Sequence, residues 1–304
     1  MSKRKQTLSE NLAIAARLAE YAELLEQQGA DGFRERAYRN AAREISEFKV
    51  PLSETLKNKG RDGLVVLPAI GKGIAAAIAE IILTGKWSQL DRARGELVPE
   101  KLFMTIPGIG PRFAKAMVED AHLESLEDLE YAIHTNEPPI KELGPRRREA
   151  IAAILEKRLG RFVFPKPAAS QLPPVELILE VDAMYRARAA AGTLKLIAPK
   201  RHNPEGVKWL PIMHARHDDW HFTALFSNTA LAHKLDKTND WVAIYHENKN
   251  YVETRSTVVS QAHGSMETHR IVRGREKECN EFYVRKNSTS MTSFGLKSLS
   301  PENE

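Results

Sequence analysis

Two short turns recur in the first half of this sequence, Leu67-Pro68-Ala69-Ile70-Gly71-Lys72-Gly73 and Ile106-Pro107-Gly108-Ile109-Gly110-Pro111. Each leads straight into an alanine-containing helical pattern. Proline is excluded from helix interiors and glycine tolerates the backbone angles of sharp bends, so each turn fixes a tight connection followed at once by a helix N-terminus. Leu143-Gly144-Pro145-Arg146 is a weaker third example. From Leu8 to about Leu159 nearly every segment carries helical periodicity. Leu12, Ala15, Ala16, Ala19, Ala22 and Leu25 form one stripe, with Ser9 as a candidate N-cap and Gly29 as the stop. A second helix is expected from Phe33 to Phe48. Helices joined by short turns make this half all-α.

The texture changes at Pro165-Lys166-Pro167-Ala168-Ala169-Ser170-Gln171-Leu172-Pro173-Pro174. Four prolines in that window read as a linker. A helix is expected from Pro174 to Ala191. Short branched or aromatic runs follow at Val207 to Met213, Trp220 to Phe226, Trp241 to His246 and Tyr251 to Ser260, with the length of strands. A last helix is expected from Arg275 to Tyr283. The fold class is therefore an all-α helix-hairpin-helix N-terminal half plus a smaller α+β C-terminal domain. The expected boundaries are 8–95 and 96–162 for two helical domains, 163–173 for the linker, 174–286 for the α+β domain, and 287–304 for a polar, disordered tail.

The chain has 304 residues and a net charge of +5. Before Phe164 there are 26 Lys/Arg against 24 Asp/Glu, and after it 19 against 16, so neither half is a basic block. Any nucleic-acid binding must come from local geometry rather than bulk charge. The apolar runs are too short for a membrane span. The single cysteine, Cys279, cannot form an internal disulfide and fits a reducing compartment. A cytoplasmic, nucleoid-associated location and no membrane partner are expected.

The chemistry suggested by the turns is phosphate binding. The first N–H groups of a helix lack intrahelical partners, and the macrodipole adds partial positive charge there. Glycine lets a phosphate approach such an end closely. Contacts of this type carry no base information, so DNA would be gripped by its backbone at Ala69, Gly71, Lys72, Gly73, Gly108 and Gly110. Arg112, Phe113, Lys115 and Arg146 follow the turns and complete the expected backbone-binding set.

Asn11 to about Arg158, roughly half of the chain, resembles the N-terminal region of the family X, polymerase-β-like DNA polymerases. The resemblance rests on Gln28-Gly29-Ala30-Asp31, Phe33-Arg34-Glu35-Arg36-Ala37-Tyr38-Arg39, both turns above and Thr84-Gly85-Lys86. It implies a small lyase-type helical domain followed by a DNA-binding thumb, holding gapped or nicked DNA. It also implies a 5′-phosphate or template contact at Phe33, Arg34, Tyr38 and Arg39, although Phe33 could equally staple two helices. No cofactor is required. A K⁺ or Na⁺ ion at the hairpins would be held by the carbonyls of Val65, Leu67, Ile70, Met104, Ile106 and Ile109.

The sequence departs from that family where chemistry is concerned. The Schiff-base lysine position holds Ala77 and its supporting lysine position holds Gly73. No Asp-x-Asp pair follows the linker, so the polymerase palm is expected to be absent. Two alternatives remain for the second half. His214, His217 and His221 with Asp218 and Asp219 could ligate zinc, and Asp240 with Glu247-Asn248-Lys249 echoes a metal-dependent nuclease. A surface hairpin and turn caps are the competing explanations. The expected function is non-sequence-specific DNA binding in a repair context, with a repair-protein partner for the second half. The rival is a DNA-repair enzyme, nuclease or abasic-site lyase.

Overall fold

The computed structural model describes residues 3–121, 123–124, 126–136, 139–159, 172–248, 251–261 and 269–295. Among the described residues of the first half all regular elements are helices: α1 (Lys3–Gln27), α2 (Gly32–Glu47), α3 (Leu52–Val65), α4 (Lys72–Thr84), α5 (Ser88–Arg94), α6 (Pro99–Phe103), α7 (Pro111–Glu119), α8 (Leu126–Thr135) and α9 (Pro145–Leu159). α1 starts before Ser9 rather than being capped by it, since neither Gly nor Pro interrupts the stretch from Lys3. Asp31 caps α2, its carboxylate accepting from the N–H groups of Phe33 and Arg34.

Two separate cores hold these helices. α1 to α5 close around Leu18, Leu25, Ile45, Ile78 and Trp87, with Tyr21 edge-on to Tyr38 at 4.9 Å. Buried Asn11 joins α1 to the α2–α3 connection, donating to the carbonyls of Phe48 and Val50 and accepting from Leu52 N–H. α6 to α9 share the second core, built on Phe103, Ile106, Ile109, Met117, Leu129 and Leu155.

The second half contains α10 (Val175–Ala190), β1 (Lys195–Ile197), β2 (Leu210–His217), β3 (Trp220–Phe226), α11 (Ala230–Lys234), β4 (Val242–Asn248), β5 (Tyr251–Ser260), β6 (Arg270–Val272) and α12 (Glu276–Gly295). The strands form an antiparallel meander in sequence order. One face packs on α10 and α12 through Ile178, Tyr185, Phe222, Ile244, Val258 and Cys279. Tyr185 donates to Pro211 O at 2.9 Å and accepts from Phe226 N–H at 2.8 Å, fixing α10 across β2 and β3. Arg270 ties buried Asp182 of α10 at 2.7 Å and also pairs with Asp240.

Some boundaries differ from the sequence pattern. β2 is displaced toward His217, because pairing with β3 across Asp218 and Asp219 carries the ladder to His217 and Trp220. α12 continues past Tyr283, since no Gly or Pro stops it before Gly295. The expected linker lies outside the described residues up to 171, as do residues 296–304 of the expected tail. Among the described residues, no helix is long and apolar enough to cross a membrane.

The other sheet face rests on the helical half. Gly95, which ends α5 at φ 81°, accepts from Lys200 N–H at 2.7 Å. A Cβ there would stand 2.5 Å from Ala198 O, so both the positive φ and the close approach require glycine.

Candidate nucleic-acid interface

The turns between α3 and α4 and between α6 and α7 share one hydrogen-bond scheme. In the first, Leu67 N–H donates to Leu64 O at 3.0 Å, Ile70 to Leu67 O at 3.3 Å and Ala75 to Gly71 O at 2.9 Å. In the second, Ile106 donates to Phe103 O at 2.9 Å, Ile109 to Ile106 O at 3.1 Å and Ala114 to Gly110 O at 2.9 Å. Gly71 (φ −79°, ψ 176°) and Gly110 (φ −86°, ψ 173°) hold the same extended geometry before their helices. Ala69 at φ 60° takes the place of Gly108 at φ 88°. Alanine therefore occupies the left-handed region without a glycine's freedom.

A third hairpin joins α8 to α9. Leu143 N–H donates to Ile140 O at 3.4 Å, Arg148 N–H to Gly144 O at 2.9 Å, and Glu142 stands at φ 63° where Gly108 stands in the second. The sequence signal for it was Ile140-Lys141-Glu142-Leu143-Gly144-Pro145, in register with Ile106 to Pro111 and blurred by a charged residue at the glycine position. Hairpins two and three adjoin. Arg112 pairs with Glu142 at 2.8 Å, and Arg147 lies over the Phe113 ring at 4.9 Å.

Gly71, Gly110 and Gly144 share a property that packing does not explain. A Cβ added to any of them would meet nothing within 4 Å, and none has a positive φ. The tips are exposed: Ala69, Gly71, Gly108, Gly110, Arg112, Lys115 and Arg146 all face solvent, with Lys72 and Gly73 partly so. Phe113 does not join them. It is buried in the second core, as its spacing from Met117 on one helical stripe indicates. The hairpin carbonyls of Leu67 and Ile106 each accept one turn N–H, leaving a lone pair for another donor or a cation. Val65, Ile70, Met104 and Ile109 flank them in the same two turns.

The residues expected at a 5′-phosphate are divided. Phe33 is 58% exposed, with the Arg216 guanidinium 5.1 Å from its ring centroid. Arg39 is half-exposed and pairs with Glu26 at 3.1 Å and with Glu35. Arg34 and Tyr38 are closed off beneath the sheet. Arg34 pairs with Glu247 of β4 at 2.7 Å, and Tyr38 donates to Gln89, which in turn donates to Glu247. Burial raises the Tyr38 phenol well above its ordinary value, so it stays neutral. Neither side chain is presented to an outside phosphate in this arrangement, because the sheet supplies a carboxylate instead. Ala77 lies buried on α4 in the same region, and Gly73 is 3.9 Å from Glu247 Oε2, measured from where its Cβ would be.

These contacts belong to a polar seam between the two halves. Arg92 pairs with Glu253 at 2.8 Å and lies 3.3 Å from the Tyr245 ring centroid. Arg255 pairs with Glu124 at 2.7 Å, and Tyr245 donates to the same carboxylate. Arg201 reaches Glu119 at 2.7 Å and Glu100 at 3.0 Å. Burial, aided by nearby Glu247, raises Glu253 against the pull of Arg92. His214 Nε2 donates to Gln28 Oε1 at 2.8 Å, and its Nδ1 lies 3.0 Å from Thr223 Oγ1. Burial and the charges of Arg34 and Arg92 lower it to about 3.

The two metal arrangements considered from sequence are not assembled. His214 is inside the seam, whereas His217 meets Asp218 at 3.2 Å and His221 meets Asp31 at 3.8 Å. Among the described residues no group of three His, Cys, Asp or Glu is placed to hold a metal. Asp240 engages Ser260 and Arg270 before β4, while Glu247 lies near the far end of that strand on Arg34. Lys249 lies outside the described residues.

No curated protein matches the chain. Residues 9–87, from α1 through the first hairpin to Trp87, match the family model described as a helix-hairpin-helix domain, so the N-terminal region carries a domain of that kind.

Proposed function

We propose that the chain binds DNA without sequence preference, gripping sugar-phosphate backbone at its three hairpins. The observation that carries this reading is the open space at Gly71, Gly110 and Gly144. Neither φ nor packing within the chain calls for glycine there, whereas a phosphate approaching a helix N-terminus does. α4 opens on Lys72 with its first N–H groups available, and α7 and α9, which open on Pro111 and Pro145, present the N–H groups that follow the proline. Lys72, Lys115 and Arg146 add charge beside them. A K⁺ or Na⁺ ion on the hairpin carbonyls of the first two turns would add more.

The preferred substrate in this reading is nicked, gapped or bent duplex in a repair context, met by hairpins on two separate cores. The chain acts as a binding module with no polymerase of its own, working in the cytoplasm on the nucleoid alongside a repair-protein partner. The test is a binding comparison of intact, nicked and gapped duplexes, each with and without a 5′-phosphate. Broken duplex should bind more tightly than intact duplex of the same sequence, and affinity should fall steeply with salt. Equal affinity for all three would remove the preference. Strong selection of one sequence from a random pool would remove the backbone reading altogether.

A further inference from the structure

A cleft of about 660 Å³, counted out to its open mouth, lies at the junction of the two halves. It is lined by residues of α1, the α4–α5 turn, α5, the α5–α6 loop and α6, together with Lys200 beyond β1, and no hairpin-tip residue takes part. Seven of its eleven lining residues are charged, so it suits an ionic partner rather than an apolar one. Arg17, Lys86, Arg94, Lys101 and Lys200 stand against Asp91 and Glu96. Arg94 donates to Glu20 from Nε at 2.6 Å and lies 3.6 Å from Glu96. Among the described residues the other four cations have no ion pair, and Asp91 is the one lining carboxylate left to balance them.

Backbone contacts bring these cations together. Arg17 reaches from α1 to the C-terminal end of α4, donating to Gly85 O at 3.0 Å next to Lys86. Lys200 arrives from the other half. Its N–H donates to Gly95 O at 2.7 Å, and Ala198 crowds Gly95 so closely that a Cβ there is excluded. The place of Lys200 against α5 is thus set by backbone, while its side chain stays exposed. Lys101 is also exposed, on the short helix that leads into the second hairpin. Since α4 has 13 residues, its ends are about 20 Å apart, and Lys86 is a helix length from the first hairpin tip.

We infer that this cleft holds the sugar-phosphate backbone of a DNA strand, as a contact surface additional to the hairpins. The inference rests on the DNA-binding reading given above and adds that both halves share the grip, the second through Lys200. Lysines meet phosphates as point charges and carry no base information, in keeping with binding indifferent to sequence. Four cations without ion pairs match successive phosphates along a strand better than one small anion. The arrangement also explains how a chain with no basic block can present concentrated charge, since the cations are gathered from both sides of a junction.

The test is the salt dependence of binding of the full chain to a fluorescently labelled duplex. Lys86→Gln, Lys101→Gln and Lys200→Gln together should lower the slope of log K against log salt by about 2–3 and weaken binding about tenfold, on every sequence alike. Lys200→Gln alone should lower the slope by about 1. That side chain is exposed, so the melting temperature should not move and the single variant stays decisive if the triple one folds poorly. Lys208→Gln, Lys234→Gln and Lys277→Gln together remove the same charge from exposed positions outside the cleft and should leave the slope unchanged. An equal loss in both triple variants overturns the inference, because net charge alone would account for it. So does an unchanged slope in the cleft variants while Gly110→Val still weakens binding, which leaves the hairpins standing. Loss with the cleft lysines and none with Gly110→Val would remove the hairpin reading and keep the cleft. A parent chain that binds no DNA removes both.

Discussion

Arg34 and Glu247 meet at 2.7 Å across the seam, with 6% and 12% of their side chains exposed. Removing one member strands a buried charge, which costs about 3 kcal/mol or more. Glu247→Ala should therefore lower the melting temperature clearly, and Arg34→Met combined with Glu247→Leu should recover most of the loss. An unchanged melting temperature in the single variant would mean that the pair is not buried in solution.

The hairpin glycines separate binding from folding. Gly110→Val puts a side chain into open space at negative φ, so stability should change by no more than about 1 kcal/mol. Affinity should fall about tenfold on every DNA sequence tested, as fluorescence anisotropy would read. Gly108→Val differs because φ is 88° there, and it should destabilise the fold by about 1–2 kcal/mol.

Glu142 places both a charge and a side chain where the second hairpin has glycine. Glu142→Gly should relieve about 1 kcal/mol of left-handed strain, partly offset by glycine's freedom in the unfolded chain. It also releases Arg112 from an exposed pair and takes negative charge from a tip read as a phosphate site. Tighter DNA binding is expected, with a steeper dependence on salt. Weaker binding would exclude the third hairpin from the interface.

His214 makes stability depend on acid. Its folded value of about 3 lies below the ordinary 6.5, so below 6.5 the unfolded chain takes up the proton more readily. The stabilisation is complete above pH 6.5 and is lost progressively as pH falls toward 3. In His214→Gln, denaturant midpoints plotted over that range should fall less steeply than in the parent. Parallel curves would show that the imidazole is not buried.

The parts of this architecture that sequence revealed are those written locally. Pro68, Gly71, Pro107, Gly110 and Pro145 mark bends in their own neighbourhoods, and alternating branched and aromatic residues mark β3 and β5. β1 and β6 have three residues each, too few to establish a period. Arg34 looked like a phosphate contact because nothing near it in sequence announces Glu247. Its role is set by long-range packing of the sheet. Phe113 is legible as core from its spacing with Ile109 and Met117, although Arg112 and Lys115 on the same turn signal charge.

The meander ends on two three-residue strands, and that brevity decides where the sheet stays open. β1 and β6 themselves offer few unpaired N–H and C=O groups and are poor templates for an added strand. β3 and β4 are paired on both sides, whereas β1 covers only Leu210–Ile212 of β2 and β6 only Val258–Ser260 of β5. Edge-to-edge pairing is thereby confined to the outer sides of β2 and β5, and β3 and β4 are shielded from it.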